Sequence, residues 1–185
     1  LVRYWQATGD AKAADALRRF ILAWSETYVP TGNDVNENKF YPLLTAYHAL
    51  LDRFETTPRR NVDAWVRRLG TLHAAAIEKS AHYTNRYTKH VRLTAICGMI
   101  LEHEAWIESA RQAVRRFVDQ SLRADGTSLD LERRDTLTYH CSALVPAIEL
   151  ARLAGADGGA LYTWTAPEGG SLKKSVNYVV PYALG

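Results

Sequence analysis

The chain lacks the features that announce the easier function classes. It has two cysteines, Cys97 and Cys141. Two make no disulfide framework, and each sits on an apolar helical stripe where a buried free thiol is the ordinary reading. No apolar run approaches the roughly 20 residues needed to span a bilayer. Neither end has the charged, apolar and small-residue sections of a signal peptide. Metal-ligand spacing is missing too: His103 and Glu104 have no correctly spaced second histidine, so neither a metal nor another cofactor is expected. The net charge of +3 is too small and too dispersed to argue for nucleic acid, although it suits an acidic partner. There is no linker, low-complexity tract or exact repeat. Nothing reads as β-rich beyond a brief alternation at 128–132.

What the chain has is helix. Hydrophobic residues make up 47% and charged residues 23%, a balance that favours a folded globular domain over disorder. Leu17, Phe20, Ile21 and Trp24 follow the i, i+3, i+4, i+7 rule, and the stripe from Phe40 through Leu43, Leu44, Tyr47, Leu50 and Leu51 to Phe54 reads as one longer helix. Thr57–Pro58 starts the next, because proline in the first turn forfeits no hydrogen bond. Further stripes run through Leu93 and Ile100, through Trp106 and Phe117, and through Leu137 and Ile148. Gly155 is expected to cap a helix C-terminus. A last helix is expected from Ser171, interrupted at Pro181. Helices of this length joined by short turns pack as antiparallel neighbours. The predicted fold is therefore all-α, a bundle, solenoid or toroid of helical hairpins, forming a single domain over 1–185. The chain begins at Leu1 rather than Met and ends in an aromatic-rich segment. Both ends read as cut, so the expectation is a piece of a longer protein.

The loops carry the chemistry. Pro30 to Asn38 reads PTGNDVNEN. One reading is a capped turn with Asp34 or Asn36 as N-cap and Asn38 in the first turn; the other is a polar rim for sugar hydroxyls, using Asn36 and Asn38. His82 to His90, HYTNRYTKH, mixes aromatic rings, an amide and cations. That suits an acidic sugar, with a ring such as Tyr87 stacking on it and the cations pairing with its carboxylate. Most informative is DGTSLDLERRDTLTYHCSALVPAIEL from Asp125 to Leu150, which puts Arg133 and Arg134 about one and a half turns before Tyr139 and His140. A cation can hold a substrate's acid group and favour the phenolate, so that tyrosine can serve as base and then as acid. The alternative is packing and capping at the start of an amphipathic helix.

In order, the segments NDVNENKFYPLLTAY, VDAWVRRL, NRYTKHVRL, the Asp125–Leu150 stretch and the tail LYTWTAPEGGSLKKSVNYVVPYALG resemble the alginate lyase superfamily of polysaccharide lyases over nearly the whole chain. The resemblance implies an (α/α) toroid, incomplete in this chain, a periplasmic or secreted setting, and a 1,4-linked polyuronate substrate such as alginate or glucuronan. It implies cleavage by β-elimination without a cofactor. Carried over residue by residue, Tyr139 matches the catalytic tyrosine, Arg134 or Arg133 the upstream arginine, Asn85 the amide on the substrate carboxylate, and His90 the histidine. His140 follows Tyr139 but points about 100° away and ranks lower. The chain departs from the family pattern at Thr84, Asn85 and Arg86, where many relatives have two asparagines followed by histidine or tryptophan, so Lys89 or Arg92 is an alternative cation. It departs again at Cys141 and Ser142. An acidic polysaccharide is the expected partner, with no nucleic acid and no membrane insertion.

Three other functions fit an all-α toroid. A glycoside hydrolase needs a pair of carboxylic acids, for which Asp125, Asp130, Glu132 and Asp135 qualify by type, but at a helix start they read as solvated charge complementing the dipole. A non-catalytic polysaccharide-binding module would hold the polymer without cleaving it. A protein-binding scaffold would show an exposed apolar groove.

Overall fold

The computed structural model describes residues 1–153 and 156–184, and the expected cap at Gly155 lies outside them. Helix accounts for 79% of the chain and no strand forms among the described residues; the alternation at 128–132 yields one isolated bridge, Leu122 to Ser128. The helices are α1 (Val2–Thr8), α2 (Ala11–Thr27), α3 (Asp34–Glu37), α4 (Tyr41–Ala49), α5 (Thr56–Lys79), α6 (Asn85–Ile100), α7 (Glu104–Ser121), α8 (Leu129–Arg134), α9 (Leu137–Leu153), α10 (Ala156–Thr163) and α11 (Leu172–Leu184). The fold is all-α, and its successive hairpins are the arrangement expected of an (α/α) toroid.

The organising element is α6. Twelve of its 16 residues are buried, so it is enclosed on all sides where a surface helix would bury one stripe. It packs against α4, α5, α7 and α9. One side of it, Leu93, Ile96, Cys97 and Ile100, joins a core with α2, α4 and α5. Its other side, Tyr87, Val91 and Ala95, joins a second core with α7 and α9. Close approach along α6 needs small residues: a methyl group on Gly70 of α5 would lie 2.3 Å from the Trp106 ring and 2.9 Å from Cys97 Cβ.

Three expectations about helix limits need correction. The stripe from Phe40 to Phe54 is not one helix: α4 ends at Ala49 and a 3-10 turn covers Leu51–Arg53. Its apolar periodicity continues because the turn is itself packed, with Leu50 and Phe54 buried; periodicity reports burial, and a buried turn mimics a helix. The N-cap of α3 is Asn33, whose Oδ1 accepts from the amides of Val35 and Asn36 at 3.0 and 3.1 Å, so neither Asp34 nor Asn36 is the cap. Finally, Ser171 does cap α11, accepting from the Lys174 amide at 3.2 Å, but the helix runs through Pro181. Pro181 is in the exposed last turn, and the carbonyl of Asn177 that its missing N–H would have served is on an exposed residue, where water can take it.

Candidate functional site

The N-terminus of α6 is fixed by a residue from elsewhere in the chain. The Asn85 backbone amide donates to Asp130 Oδ2 at 2.6 Å, so a carboxylate from α8 caps a helix it does not belong to. Asp130 is only 1% exposed. The expectation that it is a solvated charge is therefore overturned: the short helix α8, itself capped by Ser128 Oγ accepting from the Leu131 amide, turns its acid inward. Burial pushes the Asp130 carboxyl above its usual range, against the Asn85 amide and the neighbouring Arg134.

The link from α8 to α9 then places the cation. Asp135 adopts a left-handed conformation at φ 46°, which aspartate tolerates better than most residues, and the chain reverses there. Arg134 consequently folds back over the next helix. Its guanidinium carbon lies 4.3 Å from the Tyr139 ring centroid, cation–π range. Its Nη1 donates to Asn85 Oδ1 at 3.4 Å, and its Nε is 3.7 Å from Asp130 Oδ1. Asn85 Nδ2 in turn donates to Ser142 Oγ at 3.4 Å. Three residues singled out from the sequence, Asn85, Arg134 and Tyr139, thus come together. Tyr139 is 40% exposed, so its hydroxyl is not sealed in the core. Arg133 is exposed on the outer side of α8.

Beside this cluster runs an open depression of about 310 Å³. Lys89 and Arg92 line it from α6, Thr138, Cys141 and Ser142 from α9, and Asn38 from the preceding turn. Asn85, Lys89 and Arg92 are spaced i, i+4, i+7 and form a polar stripe along one side of α6. The cations of that stripe differ in availability. Arg92 is buried, pairs with Glu149, donates to Asn38 Oδ1, and stacks over the Tyr41 ring at 4.3 Å. Its charge is compensated. Burial, together with Glu149, holds the Tyr41 phenol up at about 12. Lys89 makes no salt bridge among the described residues and opens on the depression.

His90 has a different setting. Its Nδ1 lies 2.7 Å from His73 Nδ1 on α5, and His73 Nε2 lies 2.9 Å from Glu37 Oε2 on α3. Burial and the adjacent His73 pull the His90 pKa down to about 4, so at neutral pH it carries no charge with which to neutralise a carboxylate. No hydrogen bond among the described residues connects it to Tyr139 or Arg134. Nearby, Arg86 clasps buried Asp34 through Nη2 at 2.6 Å and Nε at 3.0 Å.

Besides Asn85 and Arg92, both buried, two more residues expected to meet substrate face inward. His140 is fully buried, with Nδ1 2.7 Å from Ser128 Oγ and Nε2 3.4 Å from the Ser175 carbonyl. Tyr87 is buried on the second core, its hydroxyl accepting from Arg116 at 3.3 Å. Asn36 stays exposed on α3. Glu37 and His73 were not expected from the sequence, and Asp130 and Ser142 were not expected to hold Asn85. Of the acids named for a hydrolase, Asp130 is buried, Asp125 accepts from the Thr127 amide and hydroxyl, and Glu132 pairs with Arg123 at 2.8 Å.

No curated protein gives a match to the chain. The family model described as alginate lyase, in contrast, matches residues 1–185, its whole length. The arginine, tyrosine and asparagine gathered at the start of α6 and α9 are thus those of a chain that belongs to the alginate lyase family of polysaccharide lyases.

Proposed function

We propose that this lyase cleaves a 1,4-linked polyuronate, alginate or glucuronan, by β-elimination, and that Tyr139 is its acid and base. Arg134 and Asn85 hold the carboxylate of the sugar that loses its C5 proton, which makes that proton more acidic. Tyr139 takes the proton, the C4–O bond to the leaving sugar breaks, and a C4–C5 double bond forms. The same tyrosine returns the proton to the leaving oxygen. Positioned charges and donors can stabilise the enolate-like intermediate. Lys89 and Arg133 meet carboxylates of neighbouring sugars. Asn38 and Arg92 shape the floor of the depression, and His90 contributes a hydrogen bond without charge. The polymer substrate argues for a periplasmic or secreted setting; no helix among the described residues is long and apolar enough to cross a membrane.

The observation that carries this reading is the stacking of Arg134 on Tyr139 at 4.3 Å while the same guanidinium reaches Asn85. It brings a cation, an amide and a phenol from three helices together, the amide buried at 4% exposure beneath the more open arginine and tyrosine. The test is ultraviolet absorbance of polymannuronate, polyguluronate and glucuronan incubated with the protein and with Tyr139→Phe. A conjugated alkene should appear with at least one polymer and disappear in the variant, because loss of a general acid–base typically costs about 10²- to 10⁴-fold. Product from the variant at the wild-type rate would remove Tyr139 from the chemistry.

A further inference from the structure

The chain Glu37–His73–His90 runs from the core to the surface, and the elimination chemistry leaves it unexplained. Glu37 and His73 are both fully buried. Glu37 Oε1 accepts from the Tyr28 hydroxyl at 2.9 Å, the Thr31 amide at 2.5 Å and the Thr31 hydroxyl at 2.9 Å, and Oε2 accepts from the Gly32 amide at 3.0 Å. Burial alone would raise its pKa, but these donors and His73 outweigh burial and leave it lowered. A carboxylate so surrounded by donors is ionised and has no proton to give.

Tautomer logic follows along the chain. His73 Nε2 must donate to Glu37, since Glu37 can only accept. His73 is buried, and burial holds it neutral against the pull of Glu37. A neutral imidazole with a proton on Nε2 has a bare Nδ1. His90 therefore donates from its Nδ1 across the 2.7 Å contact, and its own Nε2 carries only a lone pair. That nitrogen has no protein partner among the described residues and is not among the sealed, unpartnered polar atoms, so it is accessible. The groups around His90 are Asp34 and Glu37 on α3, His73 on α5, and Arg86 and Lys89 on α6.

We propose that Glu37 and His73 are positioning residues that fix His90 in its Nδ1–H tautomer, so that Nε2 accepts a hydrogen bond from a hydroxyl of the bound polyuronate. The inference rests on the lyase reading for its ligand. A bare Nε2 repels a carboxylate oxygen and welcomes a hydroxyl, so the relay decides which substrate group lies over His90. Glu37→Gln inverts it. The three donors on Oε1, from Tyr28 and Thr31, orient the new amide with its oxygen toward them and its NH₂ toward His73, while the Gly32 amide keeps its 3.2 Å bond to that oxygen. His73 then accepts at Nε2, donates from Nδ1, and leaves His90 with a proton on Nε2.

The experiment is nitrogen-15 NMR of the histidine rings at neutral pH, in the Tyr139→Phe background so that substrate is not consumed. His90 Nε2 should resonate as an unprotonated nitrogen and should shift on titration with a mannuronate or glucuronate oligosaccharide. In Glu37→Gln the protonated nitrogen should be Nε2. An Nε2–H tautomer without the mutation, or an Nε2 resonance that no oligosaccharide moves, overturns the proposal even if Glu37→Gln fails to fold. Turnover adds a second readout: with Tyr139 intact, Glu37→Gln should raise KM roughly three- to tenfold, the value of one hydrogen bond, and change kcat less. A wild-type chain that forms no unsaturated product defeats the lyase reading alone, since the tautomer and the titration are read without turnover.

Discussion

Acid should destabilise this fold through His90 before it touches the carboxylates. His90 titrates at about 4 in the folded chain, against an ordinary value of 6.5. Between those values the unfolded chain binds more protons than the folded one, so stability rises with pH there. The contribution is fully present above pH 6.5 and is lost as pH falls toward 4. Working the two values through the linkage relation gives a loss of about 2 kcal/mol on going from pH 7 to pH 5. The carboxylates nearest to His90, Glu37 and Asp34, both have lowered values, so they stay ionised in that window and do not mask the effect. His73 and His140 are also lowered by burial and add to the wild-type loss in the same direction. The assay is urea unfolding at pH 7 and pH 5 for wild type and for His90→Gln. At ordinary urea sensitivity the His90 share corresponds to a midpoint difference on the order of 1 M, which the substitution should remove. A wild-type midpoint that does not move between pH 7 and 5, or a His90→Gln protein that keeps the whole difference, would refute the reasoning.

Asp130→Asn separates stability from activity. Burial raises the Asp130 pKa, so its ionised form costs stability at neutral pH; the amide should keep or raise Tm, yet lower kcat/KM about tenfold by loosening Arg134, as thermal denaturation and the alkene assay would show. Gly70→Ala drives a methyl group to 2.3 Å from the Trp106 ring and should lower unfolding free energy by about 1–3 kcal/mol, measured by urea titration at pH 7.

The fold was legible because it rests on periodicity, which a single sequence displays in full. The part of the site built from near neighbours was legible for a similar reason: Arg134 and Tyr139 are five residues apart, and one reversal at Asp135 is enough to bring them together. What sequence could not show is which way a polar residue turns. Asp130 sits among Asp125, Glu132 and Asp135, and all four look alike as letters. Only the packing of α8 against α9 and the start of α6 makes Asp130 an internal ligand and leaves Glu132 on an exposed pair with Arg123. His140 was the reverse case, a polar residue next to the key tyrosine that helical rotation carries into the core. The one available signal for the groove was the spacing of Asn85, Lys89 and Arg92, since a polar stripe on a buried helix demands partners.

Those partners come from the two loops expected to touch sugar, and this changes what the loops do. In the segment from Pro30 to Asn38, Asp34 binds Arg86, Glu37 binds His73 and Asn38 binds Arg92. In α8, Asp130 binds the first amide of α6. These acidic residues therefore point into the protein: Asp34 and Asp130 clamp α6 from two sides and Glu37 holds His73 of α5, leaving the outward groups of α6 cationic or neutral. The strength of each clamp then decides which cation remains for a substrate. Asp34 holds Arg86 through two nitrogens, at 2.6 and 3.0 Å, and Arg92 is closed off by Glu149. Arg134 is 3.7 Å from Asp130 with its side chain about one-third exposed, a weaker and more open pairing than either. Of the three arginines held by an acid, Arg134 is therefore the one from which an incoming carboxylate would most easily displace the partner, and Lys89, with no salt bridge among the described residues, stands beside it on the depression.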